Sequence, residues 1–356
     1  MKKIIFFCDA LDRGGAERVI SILANHYAAL GWQVSIVLLL SDECNYILDP
    51  SIEVVPMCFE TSRGNRIVNI PKWIKYIRSF VKNKKPDILV SFLAGINITT
   101  LVATFGLGIP IIISERNDPQ NDGRGVMKQL LCKLVYPLAD AIIFQTRSAQ
   151  RFFSNSVIKK SYILLNPVTV EAEYKGFENK IIVTAGRLEK QKNHSLLIDA
   201  FSDISKTYPE YKLIIYGEGS LRNELQNKID ALNLSESILL PGNISHIHEM
   251  IANSEIFVLS SDFEGMSNAL MEALMIGTPS ISTECNGSTD LIINGENGWL
   301  VPVGDKNALQ EKIELMISSR ALRENISLNS KKMASKYNTE NVLKQWRNVV
   351  EDTIAN

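Results

Sequence analysis

Short β-branched runs alternate with helix-period stretches along this chain, and the alternation starts afresh halfway along. That pattern restricts the chain to parallel α/β architecture, because strands joined through helices pair in parallel and are covered on both faces. The first set of runs is KIIFFC (3–8), QVSIVLLL (33–40), IEVVP (52–56), DILVSF (87–92), PIIIS (110–114) and AIIFQ (141–145). Between them the spacing predicts helices over 15–30, closed by Gly31, and over 71–81, with Pro71 in the first turn. Asn166, Pro167 and the polar segment 171–180 read as a linker. A second set then follows: IIVTAG (181–186), KLIIYG (212–217), SILLPG (237–242), EIFVLS (255–260) and PSIST (279–283).

A chain of 356 residues suffices for two doubly wound, Rossmann-like domains, each with its own core. The expected division is 1–165, then 166–335, with a cleft near residue 166. In the remaining 336–356, Val342, Leu343, Trp346, Val349 and Val350 recur at helical spacing. They predict a closing helix over 339–354 that packs back on the first domain.

The formal net charge of −1 speaks against a general polyanion binder. It conceals an asymmetry: residues 1–165 hold 20 Lys+Arg against 13 Asp+Glu, and residues 166–356 hold 18 against 26. A basic half and an acidic half face different partners. The five cysteines (Cys8, Cys44, Cys58, Cys132, Cys285) are scattered without a CxxC and read as reduced thiols of a cytosolic protein. After Lys2 and Lys3 the apolar run ends at Asp9, too short for a signal-peptide core, and no run approaches a membrane span.

In open parallel sheets, ligands bind beyond the carboxyl ends of the strands. GRLEKQKN (186–193) places Arg187 and Lys192 there, two cations suited to a pyrophosphate leaving group, although an isolated pair of this kind also suits a solvated loop. GEGSLRNEL (217–225) places Gly217 and Gly219 before a helix, a weak signal that equally fits a tight turn. Pro241 and Gly242 turn the next strand out, where backbone groups either read a base edge or only make the turn.

The stretch SDFEGMSNALMEALMIG (261–277) is more specific. Gly265 breaks the chain, Ser267 caps a helix over 268–276, and Gly277 and Pro279 stop it. The amides of Gly265, Met266, Ser267, Asn268 and Ala269 then form an anion site, aided by the helix dipole. Glu264 and Glu272 lie eight positions apart, about 12 Å even if the whole stretch were helical. Carboxylates that share one glycosidic bond stand about 5 to 9.5 Å apart. The spacing therefore suits two ends of one elongated ligand, such as the sugar and the ribose of a nucleotide-sugar. Glu272 is set among core residues, where a carboxylate needs a partner. Residues 286–289 form a small-residue loop before a further helix and offer more phosphate-directed amides.

In the first half, Gly14 and Gly15 join the first strand to the first helix without a G-x-G-x-x-G dinucleotide fingerprint. Glu115 and Arg116 follow another strand, in a stretch that taken alone reads as a salt-bridged loop.

Taken in order, GGAER (14–18), GRLEKQKN (186–193), GEGSLR (217–222) and EGMSNALME (264–272) resemble family 4 of the retaining glycosyltransferases, of the GT-B type. The resemblance covers nearly the whole chain. It is strongest to bacterial enzymes that extend lipid-linked oligosaccharides for surface polysaccharide, such as O-antigen and capsule, including N-acetylgalactosamine transferases. It implies an acceptor-binding first domain and a donor-binding second domain. It implies that Arg187 and Lys192 bind the donor diphosphate, that Glu264 contacts the transferred sugar, and that Glu272 holds the ribose. Gly14, Gly15, Gly217, Gly242, Gly265, Met266, Ser267 and Asn268 are implied as further donor contacts, and no metal or other cofactor is implied. Ser267 stands where proline is frequent in the family, Asp290 where glutamate is usual, and Arg116 where many relatives carry a histidine near the reaction centre. Glu115 and Arg116 are assigned to the acceptor side.

The expected activity is transfer of a hexosyl or N-acetylhexosaminyl group from a UDP-sugar to an undecaprenyl-diphosphate-linked glycan, with retention. Two other readings are a nucleotide-sugar 2-epimerase and a non-catalytic nucleotide-sugar-binding partner subunit. The first lacks evident acid/base groups, since His26, His194, His246 and His248 do not fall at the first domain's strand ends. PKWIKYIRSFVKNKK, from Pro71 to Lys85, interleaves apolar and basic residues. It reads either as a helix lying on the anionic inner-membrane surface or as a sheet-packing helix with a solvated lysine face.

Overall fold

The computed structural model describes residues 1–11, 15–57, 66–334 and 337–356. The chain divides into two compact units, Met1–Pro167 with Thr339–Asn356, and Val168–Asn338.

The first unit begins β1 (Lys3–Cys8), α1 (Gly15–Ala29), β2 (Gln33–Leu38), β3 (Glu53–Pro56) and α2 (Arg66–Lys84). It continues β4 (Ile88–Phe92), α3 (Ala94–Thr104), β5 (Ile111–Ser114), α4 (Val126–Val135) and β6 (Ala141–Phe144). Two short helices, α5 (Arg147–Arg151) and α6 (Asn155–Ile158), lead to β7 (Ser161–Ile163). All seven strands are parallel, in the order β3-β2-β1-β4-β5-β6-β7. Alternate side chains of β1 serve the two faces, as a period of two demands. Ile4 and Phe6 enter one core with Tyr27 of α1, and Ile5 and Phe7 enter another with Trp73 and Ile77 of α2.

The second unit runs β8 (Ile181–Ala185), α7 (His194–Thr207), β9 (Lys212–Tyr216), α8 (Arg222–Ala231), β10 (Ile238–Gly242) and α9 (Ile247–Ala252). It continues β11 (Ile256–Leu259), α10 (Asn268–Ile276), β12 (Ser280–Thr283), α11 (Asn286–Leu291), β13 (Trp299–Val301), α12 (Lys306–Ser318) and α13 (Arg320–Ala334). Its six parallel strands are ordered β10-β9-β8-β11-β12-β13. Finally α14 (Thr339–Ala355) returns to the first unit, where Trp346 is fully buried and stacks on Phe92 with ring centroids 5.8 Å apart.

Three features depart from the sequence reading. Residues 171–180 are no free linker. Tyr174 is buried with its hydroxyl donating to the Glu255 carbonyl at 3.1 Å, and the Lys175 amide donates to Ala252 O at 2.8 Å. The edge strands β7 and β13 have three residues each and no long apolar run to announce them. Pro71 lies inside α2 rather than in its first turn, because the helix starts five residues earlier. So near the start of a long helix, the lost amide removes one bond to the carbonyl four residues back, while Trp73, Ile77 and Val81 hold the helix to the core.

The same burial decides the face of α2. Its apolar stripe packs on the sheet, with Ile74 and Phe80 partly buried beside it, and is not offered to lipid. Lys75, Lys82 and Lys85 are exposed, and Lys84 pairs with Glu53 at 2.6 Å. Among the described residues no helix is long and apolar enough to cross a membrane. Cys8, Cys44, Cys132 and Cys285 are free thiols, and Cys58 lies outside the described residues.

Candidate functional site

The strand order of the second unit reverses direction between β8 and β11, so the loops leaving these neighbouring strands diverge and leave room between them. Arg187 and Lys192 follow β8, and Glu264 follows β11. The two loops are joined side chain to side chain. Lys192 Nζ forms an ion pair with Glu264 Oε1, and the Ser261 hydroxyl donates to the same oxygen at 2.8 Å. Gln191 Nε2 donates to the Phe263 carbonyl at 2.9 Å and to Glu264 Oε2 at 3.3 Å. Asn193, left-handed at φ 43°, caps α7 by accepting from the Leu196 amide and donates to Asp262 Oδ1 at 2.7 Å. Arg187 is exposed. Beneath it, His194 is buried with Nε2 3.2 Å from the Arg187 carbonyl, and burial pushes its pKa down to about 4.

Glycines let these loops approach one another. At Gly217, φ is 138° and a Cβ would stand 1.9 Å from the Gly186 carbonyl oxygen. A Cβ on Gly287 would stand 2.0 Å from the Gly265 oxygen. Gly242 ends β10, and its carbonyl accepts from the Gly217 amide at 3.0 Å. The glycines chosen from sequence as ligand contacts thus have a first use in packing loop against loop.

α10 spans Asn268–Ile276, as its sequence signals predict. Ser267 caps it, accepting from the Leu270 amide at 3.4 Å, and Gly277 closes it at φ 89°. The first intrahelical bond comes from the Met271 amide to the Ser267 carbonyl, so the amides ahead of it lie outside the helix ladder. Met266 is buried and Gly265 half-buried at this turn. Glu272, one turn into α10, is buried with Oε1 3.5 Å from His248 Nε2 of α9. The carboxylate set among core residues therefore has a polar neighbour. Residues 286–289 are not a loop before a helix: they are the first turn of α11, which starts two residues after β12.

In the first unit, Gly15 opens α1 and Gly14 lies outside the described residues. Glu115 is buried and fully engaged: Arg124 donates to both carboxylate oxygens at 3.0 Å, and the Tyr136 hydroxyl donates to Oε2 at 2.7 Å. Arg116 is buried too, its guanidinium 4.7 Å from the Phe92 ring centroid and 5.6 Å from that of Trp346. Its Nη1 donates to Asn166 Oδ1 at 2.8 Å, while Nε and Nη2 have no hydrogen-bond partner among the described residues. Burial pushes its pKa down to about 9.

The structure thus gathers Lys192 and Glu264 in direct contact, with Gly265 to Asn268 continuing the same loop into α10. Sequence reasoning passed over Gln191, Asn193, Ser261, Asp262 and His248. The first four are chain neighbours of Lys192 and Glu264, and their amide, hydroxyl and carboxylate groups just past strand ends were the available signal. His248 carries no such mark, since its nearness to Glu272 depends on how α9 packs on α10.

Residues 13–171 match the family described as Glycosyltransferase Family 4, and residues 171–333 match Glycosyl transferases group 1. Two proteins of Campylobacter jejuni are similar over most of their length. One, 31% identical over 91% of this chain and 92% of its own, is an N-acetylgalactosamine-N,N'-diacetylbacillosaminyl-diphospho-undecaprenol 4-alpha-N-acetylgalactosaminyltransferase. The other is 28% identical over 99% of both chains. It is an alpha-1,4-N-acetyl-D-galactosaminyltransferase acting on GalNAc-alpha-(1->4)-GalNAc-alpha-(1->3)-diNAcBac-PP-undecaprenol. Among solved structures, HepE of Anabaena in complex with UDP and glucose superposes with a TM-score of 0.81 at 16% identity, covering 99% of this chain and 100% of that one. A sucrose-phosphate synthase from Thermosynechococcus elongatus gives 0.85 at 16% identity, covering 100% of both. At such identity the structural likeness establishes the fold.

Proposed function

Because this chain belongs to family 4 of the glycosyltransferases, we propose that it transfers a hexosyl or N-acetylhexosaminyl group from a UDP-sugar to an undecaprenyl-diphosphate-linked glycan, with retention. The observation that carries this reading is the Lys192–Glu264 contact at the point where the second sheet reverses its strand order. A cation for a leaving diphosphate and a carboxylate for the sugar beside it stand together where an open parallel sheet takes its ligand. The choice of donor and acceptor is supported by the Campylobacter relatives, whose names specify a diphospho-undecaprenol-linked acceptor and a GalNAc group, and by the UDP held in the HepE fold.

In this reading Glu264 accepts hydrogen bonds from hydroxyls of the transferred sugar, and Glu272, oriented by His248, holds the ribose. Arg187, Lys192 and the amides at the start of α10 meet the diphosphate charge. The bond from the anomeric carbon to the phosphate oxygen breaks, the bond to the acceptor oxygen forms on the same face, and the acceptor's proton passes to the departing phosphate. Two side-chain cations at the diphosphate are the reason for reading the reaction as metal-independent. The enzyme would work at the cytoplasmic face of the inner membrane.

Incubating the protein with a panel of UDP-sugars and a diphospho-undecaprenol-linked acceptor tests the proposal. Glycosylated lipid of retained configuration is expected. Recovery of an epimerised donor, or of both reactants unchanged with every donor, would overturn it.

A further inference from the structure

Lys192 stands on a loop that is tied down on both sides of it. It ends a single 3₁₀ turn, Lys190–Lys192, and Asn193 then swings the chain into α7 at φ 43° and ψ 48°. Four hydrogen bonds join residues 191–193 to residues 260–263 beyond β11. The Asp262 amide donates to the Gln191 carbonyl at 2.9 Å, and Gln191 Nε2 donates back to the Phe263 carbonyl at 2.9 Å. The Ser260 hydroxyl donates to the carbonyl of Lys192 itself at 3.0 Å. Asn193 Nδ2 completes the set, donating to Asp262 Oδ1 at 2.7 Å. The stem of Lys192 runs along Gly186, where an added Cβ would stand 3.3 Å from Cε.

The residue type at 193 shows what the position asks for. A helix cap alone is met by aspartate or serine, and a left-handed turn alone is met by glycine. Asparagine tolerates the left-handed region, accepts through Oδ1 and donates through Nδ2. Here Oδ1 takes the Leu196 amide and Nδ2 takes Asp262, so the donor is the one property that cap and turn leave unexplained. That donor joins the loop after β8 to the loop after β11, one residue beyond Lys192 and two before Glu264. A lysine ammonium on a long flexible stem is placed only as well as the backbone that carries it. With its carbonyl and both neighbours held, Lys192 can leave Glu264 for an incoming diphosphate by turning its side chain about a fixed base.

We infer that Asn193 and Asp262 are positioning residues for sugar transfer, and that their hydrogen bond holds the backbone of Lys192 where its ammonium reaches the departing phosphate. The inference rests on the proposed role of Lys192 and deepens it, since the pair acts through that lysine. A misplacement of about 1 Å at such a group costs up to about 10²-fold in rate.

Steady-state kinetics of the full chain, on a UDP-sugar and a lipid-linked acceptor, test it. Asn193→Asp keeps the cap and the turn, loses the donor and sets two carboxylates against each other. Its kcat is expected to fall at least about tenfold while the donor KM stays within about threefold. Asn193→Asp with Asp262→Asn reverses the direction of the bond and restores the charge, and should recover kcat to within about threefold of wild type. Added to Lys192→Ala, Asn193→Asp should cost less than about twofold more, because no ammonium remains to be misplaced. Thermal midpoints show that each sample is folded. Should Asn193→Asp be unfolded at the assay temperature, Asp262→Ala removes the acceptor without adding charge and takes its place, with the same loss expected. The inference is overturned if the single variant keeps its kcat, if the reversed pair is no faster than the single variant, or if the loss is undiminished beside Lys192→Ala. A Lys192→Ala enzyme as fast as wild type would remove the leaving-group reading and this inference with it. A slow Lys192→Ala beside a fast Asn193→Asp counts against the positioning pair alone.

Discussion

Lys192 and Glu264 are 72 positions apart in the chain and form an ion pair beyond the carboxyl ends of two adjacent strands. Their side chains are 13% and 8% exposed, so water screens the pair little. Ser261 and Gln191 bind the same carboxylate, which fixes its direction and leaves Lys192 as the group able to turn toward an incoming diphosphate.

Removing that cation should strike turnover. Lys192→Ala is expected to lower kcat by about 10²–10³-fold and to change the donor KM by less than about tenfold, as for a group that acts chiefly in the transition state. Steady-state kinetics on a UDP-sugar and lipid-linked acceptor measure it. A thermal midpoint on the same sample shows whether Glu264, left with Ser261 and Gln191, still permits folding. Turnover within about threefold of wild type would sink the leaving-group role.

A second expectation concerns acid. His194 has its pKa pushed down to about 4 by burial, against about 6.5 in an unfolded chain. Its neutral ring can donate from Nε2 to the Arg187 carbonyl, while among the described residues Nδ1 has no partner to accept a second proton's hydrogen bond. The unfolded state therefore binds more protons between pH 6.5 and 4, and stability is lost as pH falls through that window, by about 3 kcal/mol in all. His194→Gln keeps a donor and does not titrate. Urea midpoints at pH 7 and pH 5 should differ more for wild type than for this variant, and equal differences would show that other groups set the acid sensitivity.

Much of this was legible in sequence, for physical reasons that differ by element. α10 was readable residue by residue because Ser267, the apolar run and Gly277 are local signals for a cap, a buried helix and a left-handed stop. The strand-end positions of Arg187, Lys192 and Glu264 followed from the alternation of strands and helices. The contact between Lys192 and Glu264 did not, since it depends on the order of β8 and β11 across the sheet. α2 and α4 show the same limit from the other side. Both carry apolar residues beside lysines, and only tertiary packing decides that the stripe of α2 faces inward and that of α4 outward.

Gly217 makes a third prediction, on packing. Any side chain there meets two penalties, a φ of 138° and a carbonyl oxygen 1.9 Å from the new Cβ. That oxygen belongs to Gly186, whose own amide is bound to the Tyr216 carbonyl at 2.9 Å, so neither strand end can yield alone. Gly217→Ala should cost about 3 kcal/mol or more and lower the thermal midpoint by several degrees. An unchanged midpoint would mean that the loops after β8 and β9 part easily.

The last prediction separates stability from activity at Arg116. This guanidinium is buried beside the stacked rings of Phe92 and Trp346, holds one hydrogen bond to Asn166, and leaves Nε and Nη2 without partners among the described residues. Burial brings its pKa down to about 9, so at pH 7 it stays charged at a cost to folding. Methionine has similar length, keeps the contact with both rings and carries no charge. Arg116→Met should therefore leave stability unchanged or raise it by about 1–3 kcal/mol, less about 1 kcal/mol for the donor lost to Asn166. A charge held at net cost is explained if it serves the acceptor, and the variant should then raise the acceptor KM at least about tenfold while the donor KM stays put. Thermal midpoints and acceptor titrations read the two effects independently. A lower midpoint with unaltered kinetics would make Arg116 a structural residue and remove it from the acceptor side.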